Sequence, residues 1–281
     1  MSVVDSPVMV EVNRRLLGKM LAGGMLGGSL LGPSALALAQ EPKPTHVHPK
    51  PPANAPTISI LVYSGMVLLD LAGPLSVFTI MGSLIQLIGK NLQPVTTDCG
   101  ISVSPTHDLT TARKAADVFL IPGGTIGTIE CMNDPAILDF VRAQGDAAKY
   151  VTSVCTGSLV LAAAGLLRGY RATSLWAVAD LLPLMGAQHV DERVVVDRNR
   201  ITAGGVTAGI DFGLMLAAKL TDERTAKRVQ LTLEYAPQPP FHAGTPQDAG
   251  PELLAYTRGR RKGMDAAAAN AARVAGKRLR V

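Results

Sequence analysis

Three features of this chain are of types that do chemistry when brought together: Cys155, Asp70 and the turn Pro122-Gly123-Gly124. Cys155 ends the apolar run Tyr150-Val-Thr-Ser-Val154 and is followed by Thr156-Gly157 and a small-residue stretch from 158 to 167. Strand, cysteine, tight turn and helix in that order make a nucleophile elbow, the geometry that G-x-S-x-G builds for serine. Such a turn lifts the side chain to the top of the sheet, and the next helix aims unpaired N–H groups at it. A thiol so placed is expected to have a lowered pKa and to react as the thiolate. A buried structural cysteine is the competing reading, because free cysteine is among the most buried residue types. Gly123 and Gly124 could present N–H donors to a developing negative charge, or simply form a turn. Asp70, ahead of Gly73-Pro74, either belongs to the same site or is a helix cap.

The elements that must position these groups alternate. Residues 58–63 form an apolar, β-branched run stopped at Ser64-Gly65, and 118–121 form a second run stopped by Pro122. Short strands are expected at 95–97, 101–103, 171–173, 190–196 and 200–202. Helices are expected from 75 to 81 with Pro74 in the first turn, from Asp134-Pro135 to about 149, and from 207 to 220. Alternating strands and helices predict an α/β fold with a mostly parallel sheet covered on both faces. In such sheets ligands bind beyond the carboxyl ends of the strands. Cys155, Pro122-Gly-Gly124 and Asp70 all follow strands, so they fall at that edge.

The first residues read as a leader rather than fold. Arg14-Arg15 sits in a charged stretch, a Gly-rich apolar run follows, and Ala37-Leu-Ala39 supplies a small-x-small cleavage pattern. Residues 1–39 are therefore expected to be an export signal of the twin-arginine type, placing the mature protein in the periplasm or outside the cell. Residues 40–56, rich in Pro, Lys, His and Ala, predict an extended tether, and His46 and His48 in it are assigned no metal. Residues 247–281 read as a basic, Ala-rich tail, a frayed helix or a disordered end. The net charge of +5 collects largely in the leader and this tail, and the core lacks a basic stripe, so no nucleic-acid partner is expected. No stable membrane anchor is expected after processing. Of three cysteines, Cys99 and Cys131 either pair, leaving Cys155 free, or stay as thiols.

Taken together, the first strand, Asp70-Leu-Ala-Gly-Pro74, Pro122-Gly-Gly124 and Val154-Cys-Thr-Gly157 resemble the ThiJ/PfpI family of the class I glutamine-amidotransferase-like superfamily. The segments 162–173, 191–199, 204–212 and 230–241 are similar to its isocyanide hydratase branch. The resemblance spans about 57–246 and implies a flavodoxin-like three-layer sandwich, a homodimer, and cofactor-free hydration of an isocyanide to an N-substituted formamide. It implies Cys155 as nucleophile, Asp70 as acidic partner and Thr156 as their neighbour, with backbone donors near Gly123 and Gly124. A second class of reading is a thiol-based redox or small-ligand sensor. The chain departs from the pattern at Ser76, where many relatives carry Glu, at Leu175, where His is usual, and at Ala236, where Asp is usual. It also lacks the His beside the elbow that a Cys-His peptidase needs.

Overall fold

Runs that are apolar on both sides of the chain can only be strands buried on both faces, and the middle of the sheet is built from them. The structure, a computed structural model, describes residues 51–281. The leader and most of the tether therefore lie outside the described residues. In chain order the elements begin β1 (Thr57–Leu61), α1 (Leu68–Met81), β2 (Leu84–Gly89), β3 (Val95–Thr96), β4 (Ser102–Val103), β5 (His107–Asp108) and β6 (Val118–Ile121). They continue with α2 (Ile126–Asn133), α3 (Pro135–Ala147), β7 (Tyr150–Val154), α4 (Gly157–Ala163), β8 (Arg171–Ala172), a 3₁₀ helix (Ala179–Met185), β9 (Gln188–His189), β10 (Val194–Asp197) and β11 (Arg200–Ala203). Three helices finish the chain: α5 (Ala208–Leu220), α6 (Glu223–Thr232) and α7 (Pro246–Leu279).

The main sheet runs β10-β11-β7-β6-β1-β2-β5 and is parallel except for β10. One helix layer holds α1, α5 and α6; the other holds α2, α3, α4, α7 and the 3₁₀ helix. This is the doubly covered α/β sandwich expected from the alternation. The chain leaves β1 for β2 on one side and reaches β6 and β7 on the other, so the strand order reverses between β1 and β6. The carboxyl ends of β1, β6 and β7 consequently open onto one crevice.

One local expectation changes, and one strand is added. Helix α1 starts at Leu68, so Pro74 lies in its interior and Asp70 in its first turn. Asp70 is thus not a cap: the N-cap position is Val67, and the first turn takes its acceptor from elsewhere, with the Leu68 N–H donating to Asp98 Oδ1 at 2.9 Å. Strand β2 was not marked by turn residues, because Gly82-Ser83 alone separates it from α1. Gly82 closes that helix in the left-handed region at φ +87°, where its N–H bonds back to Phe78 and Thr79. As expected of two short strands flanking a turn, β3 and β4 pair with each other, in a hairpin outside the main sheet.

The largest correction concerns the tail. Residues 246–279 form α7, kinked at Gly250, and its Ala268, Ala271, Ala272, Ala275 and Gly276 are buried against α2, α4 and the 3₁₀ helix. The alanines that suggested a frayed end are its packing stripe, since only small side chains let the helix backbone approach this closely. A methyl group on Gly276 would run into the Leu184 carbonyl oxygen. Among the described residues no helix is long and apolar enough to cross a membrane.

Ala272→Asp should bury an unpaired charge under α7 and lower stability by about 3 kcal/mol. Urea denaturation measures the loss, and limited proteolysis should then cut first within 246–281. A variant as stable and as resistant as the wild type would show that α7 does not pack.

Candidate active site

Cys155 occupies the tight turn between β7 and α4 at φ +56°, in the left-handed region that side chains rarely adopt. That conformation costs on the order of 1–2 kcal/mol, and the surroundings hold it. The Cys155 N–H donates to the carbonyls of Ala203 (3.0 Å) and Gly204 (2.8 Å) at the end of β11. Its own carbonyl accepts from the hydroxyls of Ser158 (3.2 Å) and Ser174 (3.1 Å). Gly157 must follow, because a side chain there would strike the carbonyls of Ile121 and Pro122 at the end of β6.

Asp70 comes to the thiol from the opposite side of that turn. A methyl group on Gly123 would lie 2.6 Å from Asp70 Oδ2, 2.7 Å from Cys155 Cβ and 2.7 Å from the Thr156 nitrogen. Carboxyl, cysteine and elbow N–H therefore converge on a backbone with no side chain. Asp70 Oδ2 accepts the Gly123 N–H at 2.8 Å, while Oδ1 is buried with no N–H or O–H donor. Cys155 is the titratable side chain next to the carboxyl, its Cβ and Asp70 Oδ2 both meeting the Gly123 backbone.

The protonation states follow from burial. Asp70 is wholly inaccessible, and burial raises its pKa from 3.8 to about 7, against the lowering effect of the Gly123 and Cys155 hydrogen bonds. Cys155 is 3% exposed; burial first and the Asp70 charge second push its thiol well above the ordinary value. The Thr156 N–H and the positive charge of Arg261 oppose that rise without overcoming it. The lowered thiol pKa expected from the elbow is thus overturned: loss of water outweighs the few N–H groups of the short helix α4. Near neutrality the thiol therefore stays protonated, while the buried carboxyl beside it passes between acid and carboxylate.

The Pro122-Gly-Gly124 turn also differs from expectation. Its N–H groups are engaged, Gly123 with Asp70 and Gly124 with Thr156 Oγ1 at 2.9 Å. The N–H directed at the sulfur is that of Thr156. The Thr156 hydroxyl faces away from it, donating to the Gly124 carbonyl and bonding Thr128 Oγ1 at 2.8 Å. Tyr63 completes this frame by donating to the Pro122 carbonyl at 2.7 Å. Tyr63, read from the sequence only as the end of a strand, and Thr128 fix the turn; their types alone gave no signal, since Tyr63 bonds residues 59 and 65 positions away and Thr128 bonds Thr156, 28 positions away.

Several other expectations find their places. Cys99 is exposed, Cys131 is buried, and all three cysteines are free thiols. Burial pushes the Cys131 thiol up to about 12. Cys131 lines a cleft of about 320 Å³ with Tyr63, Lys90 and Asp134, which does not reach Cys155. Ser76 is exposed and bonds the Ala72 carbonyl of its own helix. Leu175 packs against the core edge, and Trp176 lines a separate cleft under the residues that begin α7. The described histidines, His107, His189 and His242, lie on β5, on β9 and before α7. Among the described residues no group of three or more His, Cys, Asp or Glu is placed to hold a metal ion.

The profile of the DJ-1/PfpI family matches residues 56–219, more than half of the chain. The chain belongs to the DJ-1/PfpI family. It is 49% identical over 193 residues to an isonitrile hydratase of Pseudomonas putida, an alignment covering 68% of this chain and 84% of that one. A crystal structure of a ThiJ/PfpI family protein from Pseudomonas syringae superposes with a TM-score of 0.76 at 44% identity, over 78% of this chain and 90% of the other. Drosophila melanogaster DJ-1beta, 21% identical, has a TM-score of 0.60 over 65% of this chain and all of its own length, a likeness of fold. The sandwich is accordingly the flavodoxin-like fold of the DJ-1/PfpI family.

A carboxyl that titrates near 7 when folded and near 3.8 otherwise binds its proton more tightly in the folded state. Its stabilising effect is present below about pH 4 and is lost as the pH rises through about 7. Asp70→Asn should therefore stabilise the protein at pH 8, by up to about 4 kcal/mol, and by much less at pH 5. Urea midpoints at the two pH values test this, and a gain independent of pH would contradict a buried, titrating Asp70.

Proposed function

We propose that this protein hydrates isocyanides to N-substituted formamides, with Cys155 as nucleophile and Asp70 as its proton partner. The observation that carries the reading is the contact of Asp70 and Cys155 across Gly123, where a carboxyl near neutrality faces a thiol with no histidine beside it. The similarity to an isonitrile hydratase supports the same reaction class. A cysteine only 3% exposed also suits a slender, linear electrophile better than a peptide carbonyl.

In this scheme ionised Asp70 accepts the thiol proton as sulfur bonds to the terminal isocyanide carbon. Asp70 then returns that proton to the same carbon, giving the thioimidate R–N=CH–S–Cys155. Water adds to the imidate carbon, the nitrogen gains a proton, and the C–S bond breaks to release R–NH–CHO and the thiol. The Thr156 N–H is the backbone donor at the sulfur. Gly123 and Gly124 act through Asp70 and Thr156, which their N–H groups hold in place. No cofactor enters these steps.

Burial and a raised thiol pKa weigh against the sensor reading, because oxidation favours exposed thiolates. The leader-like residues 1–39 extend the proposal to an exported enzyme. A homodimer is part of the same proposal. It is supported by exposed Leu69, Ile101 and Ile126, which lie on or next to segments hydrogen-bonded to one another around the crevice.

Formamide release from an aryl isocyanide under reducing conditions should vanish in Cys155→Ala. It should fall by about 10²–10⁴ in Asp70→Asn. Because ionised Asp70 is the base, kcat/KM should rise with pH and level off above about 7. Turnover that survives in Cys155→Ala, or none in the reduced wild type, would end this reading.

A further inference from the structure

We propose that the solvent face of α7 is a peripheral docking surface for the anionic phosphate headgroups of a lipid bilayer, held by exposed lysines and arginines rather than by insertion. The inference goes beyond the hydration reading and does not depend on it. Its basis is where the charge sits. Residues 253–281 hold eight of the chain's 27 Lys and Arg and one of its 22 Asp and Glu, a formal +7, whereas residues 51–252 sum to −4. A basic helix thus lies on an acidic body.

Three of the eight cations are engaged within the fold. Arg258 lies over the Trp176 ring, 5.6 Å from its centroid, Arg261 pairs with Asp265 at 3.0 Å, and Arg278 donates to the Ala163 carbonyl at 2.8 Å. The other five, Arg260, Lys262, Arg273, Lys277 and Arg280, are exposed and make no ion pair among the described residues. The acidic body leaves them uncompensated.

Helical spacing gathers the charge on one side. Lys262, Ala266, Arg273 and Lys277 stand at intervals that share a face. A second row beside them holds Tyr256, Gly263, Ala267, Asn270 and Val274, of which Tyr256 is 66% and Val274 48% exposed. Both rows lie away from the buried stripe of Ala268, Ala271, Ala272 and Ala275. Whatever meets this face therefore leaves the packing of α7 intact. From Tyr256 to Lys277 the face extends about 30 Å.

A row of cations suits any polyanion, and the residues between them select among polyanions. Here they are small or apolar, with Asn270 the one amide between 256 and 277. Bases are read by hydrogen-bonding side chains. An exposed tyrosine and valine beside lysines and arginines make up a surface of headgroup depth instead. The apolar row is too thin to insert, and no described helix can cross a membrane. Contact is consequently electrostatic, and salt reverses it.

The test is co-sedimentation of the full chain with vesicles of one part phosphatidylglycerol to two parts phosphatidylcholine, against vesicles of phosphatidylcholine alone. The wild type should prefer the anionic vesicles and leave them at about 0.5 M salt. The triple variant Lys262→Gln, Arg273→Gln, Lys277→Gln should bind them about a hundredfold more weakly, at about fivefold per charge. A second triple variant, Lys114→Gln, Lys149→Gln, Lys219→Gln, removes the same charge from exposed positions of the body. It should lose less than about threefold, because charges beyond a Debye length from the lipid are screened. Residues 1–50 are the same in all three proteins and cancel in the comparison, and matched urea midpoints establish that the variants fold. Equal affinity of the wild type for both vesicles would overturn the proposal, as would equal losses in the two triple variants. A DNA duplex bound more tightly than the anionic vesicles, and lost in the α7 variant, would overturn it in favour of a nucleic-acid surface.

Discussion

The site depends on one close approach, that of the Gly123 backbone to Asp70, Cys155 and Thr156. Three segments distant in sequence meet there: the first turn of α1, the turn after β6 and the elbow after β7. Parallel neighbours β1, β6 and β7 bring their carboxyl ends level, and the reversal of strand order leaves a crevice at that edge. Any side chain at position 123 would separate the acid from the thiol. The left-handed backbone at Cys155 is the strain that comes with this approach, and bonds from β11, Ser158 and Ser174 hold it. Strain and contact are parts of one arrangement, since relaxing the turn would swing the sulfur away from Asp70.

Burial then decides the electrochemistry of the pair. An open elbow lets helix N–H groups stabilise a thiolate; here the thiol and the carboxyl are both withdrawn from water, and both resist ionisation. The thiol keeps its proton while the carboxyl gains and loses its own near neutrality, so an ionised Asp70 stands beside a protonated sulfur. Such a pair suits addition to a neutral, slender electrophile, where the proton leaves sulfur and arrives at carbon within one step. It suits a freely ionised, solvent-reporting thiol much less.

What could be read from the sequence follows the range of the interactions. The elbow, the first and sixth strands and the Pro-Gly-Gly turn are local patterns of apolar runs and turn residues, and they appear where expected. Helix α1 began earlier than its proline suggested because Asp98, thirty residues away, supplies the acceptor for its first turn. Strand β2 was hidden by continuity with the apolar helix before it. The engaged state of Gly123 and Gly124 could not be read, since it depends on side chains from α1 and α4. The direction of the thiol shift was likewise invisible, because the residues that bury it come from the whole chain.

Helix α7 shows the same limit from the other end. Its basic, Ala-rich composition is what a solvated tail also displays, and only the register of Ala268, Ala271, Ala272 and Ala275 separates the two. That register brings small residues to one face at helical spacing and lets the backbone lie close to the 3₁₀ helix. With the helix docked there, Arg261 comes to the wall beside the elbow, seven residues before the buried Ala268 and thus two turns up the same face. A C-terminal helix in this way helps to wall the cavity beside the elbow, with Arg261, Met264, Asp265 and Ala268 facing Gly124 and Thr156.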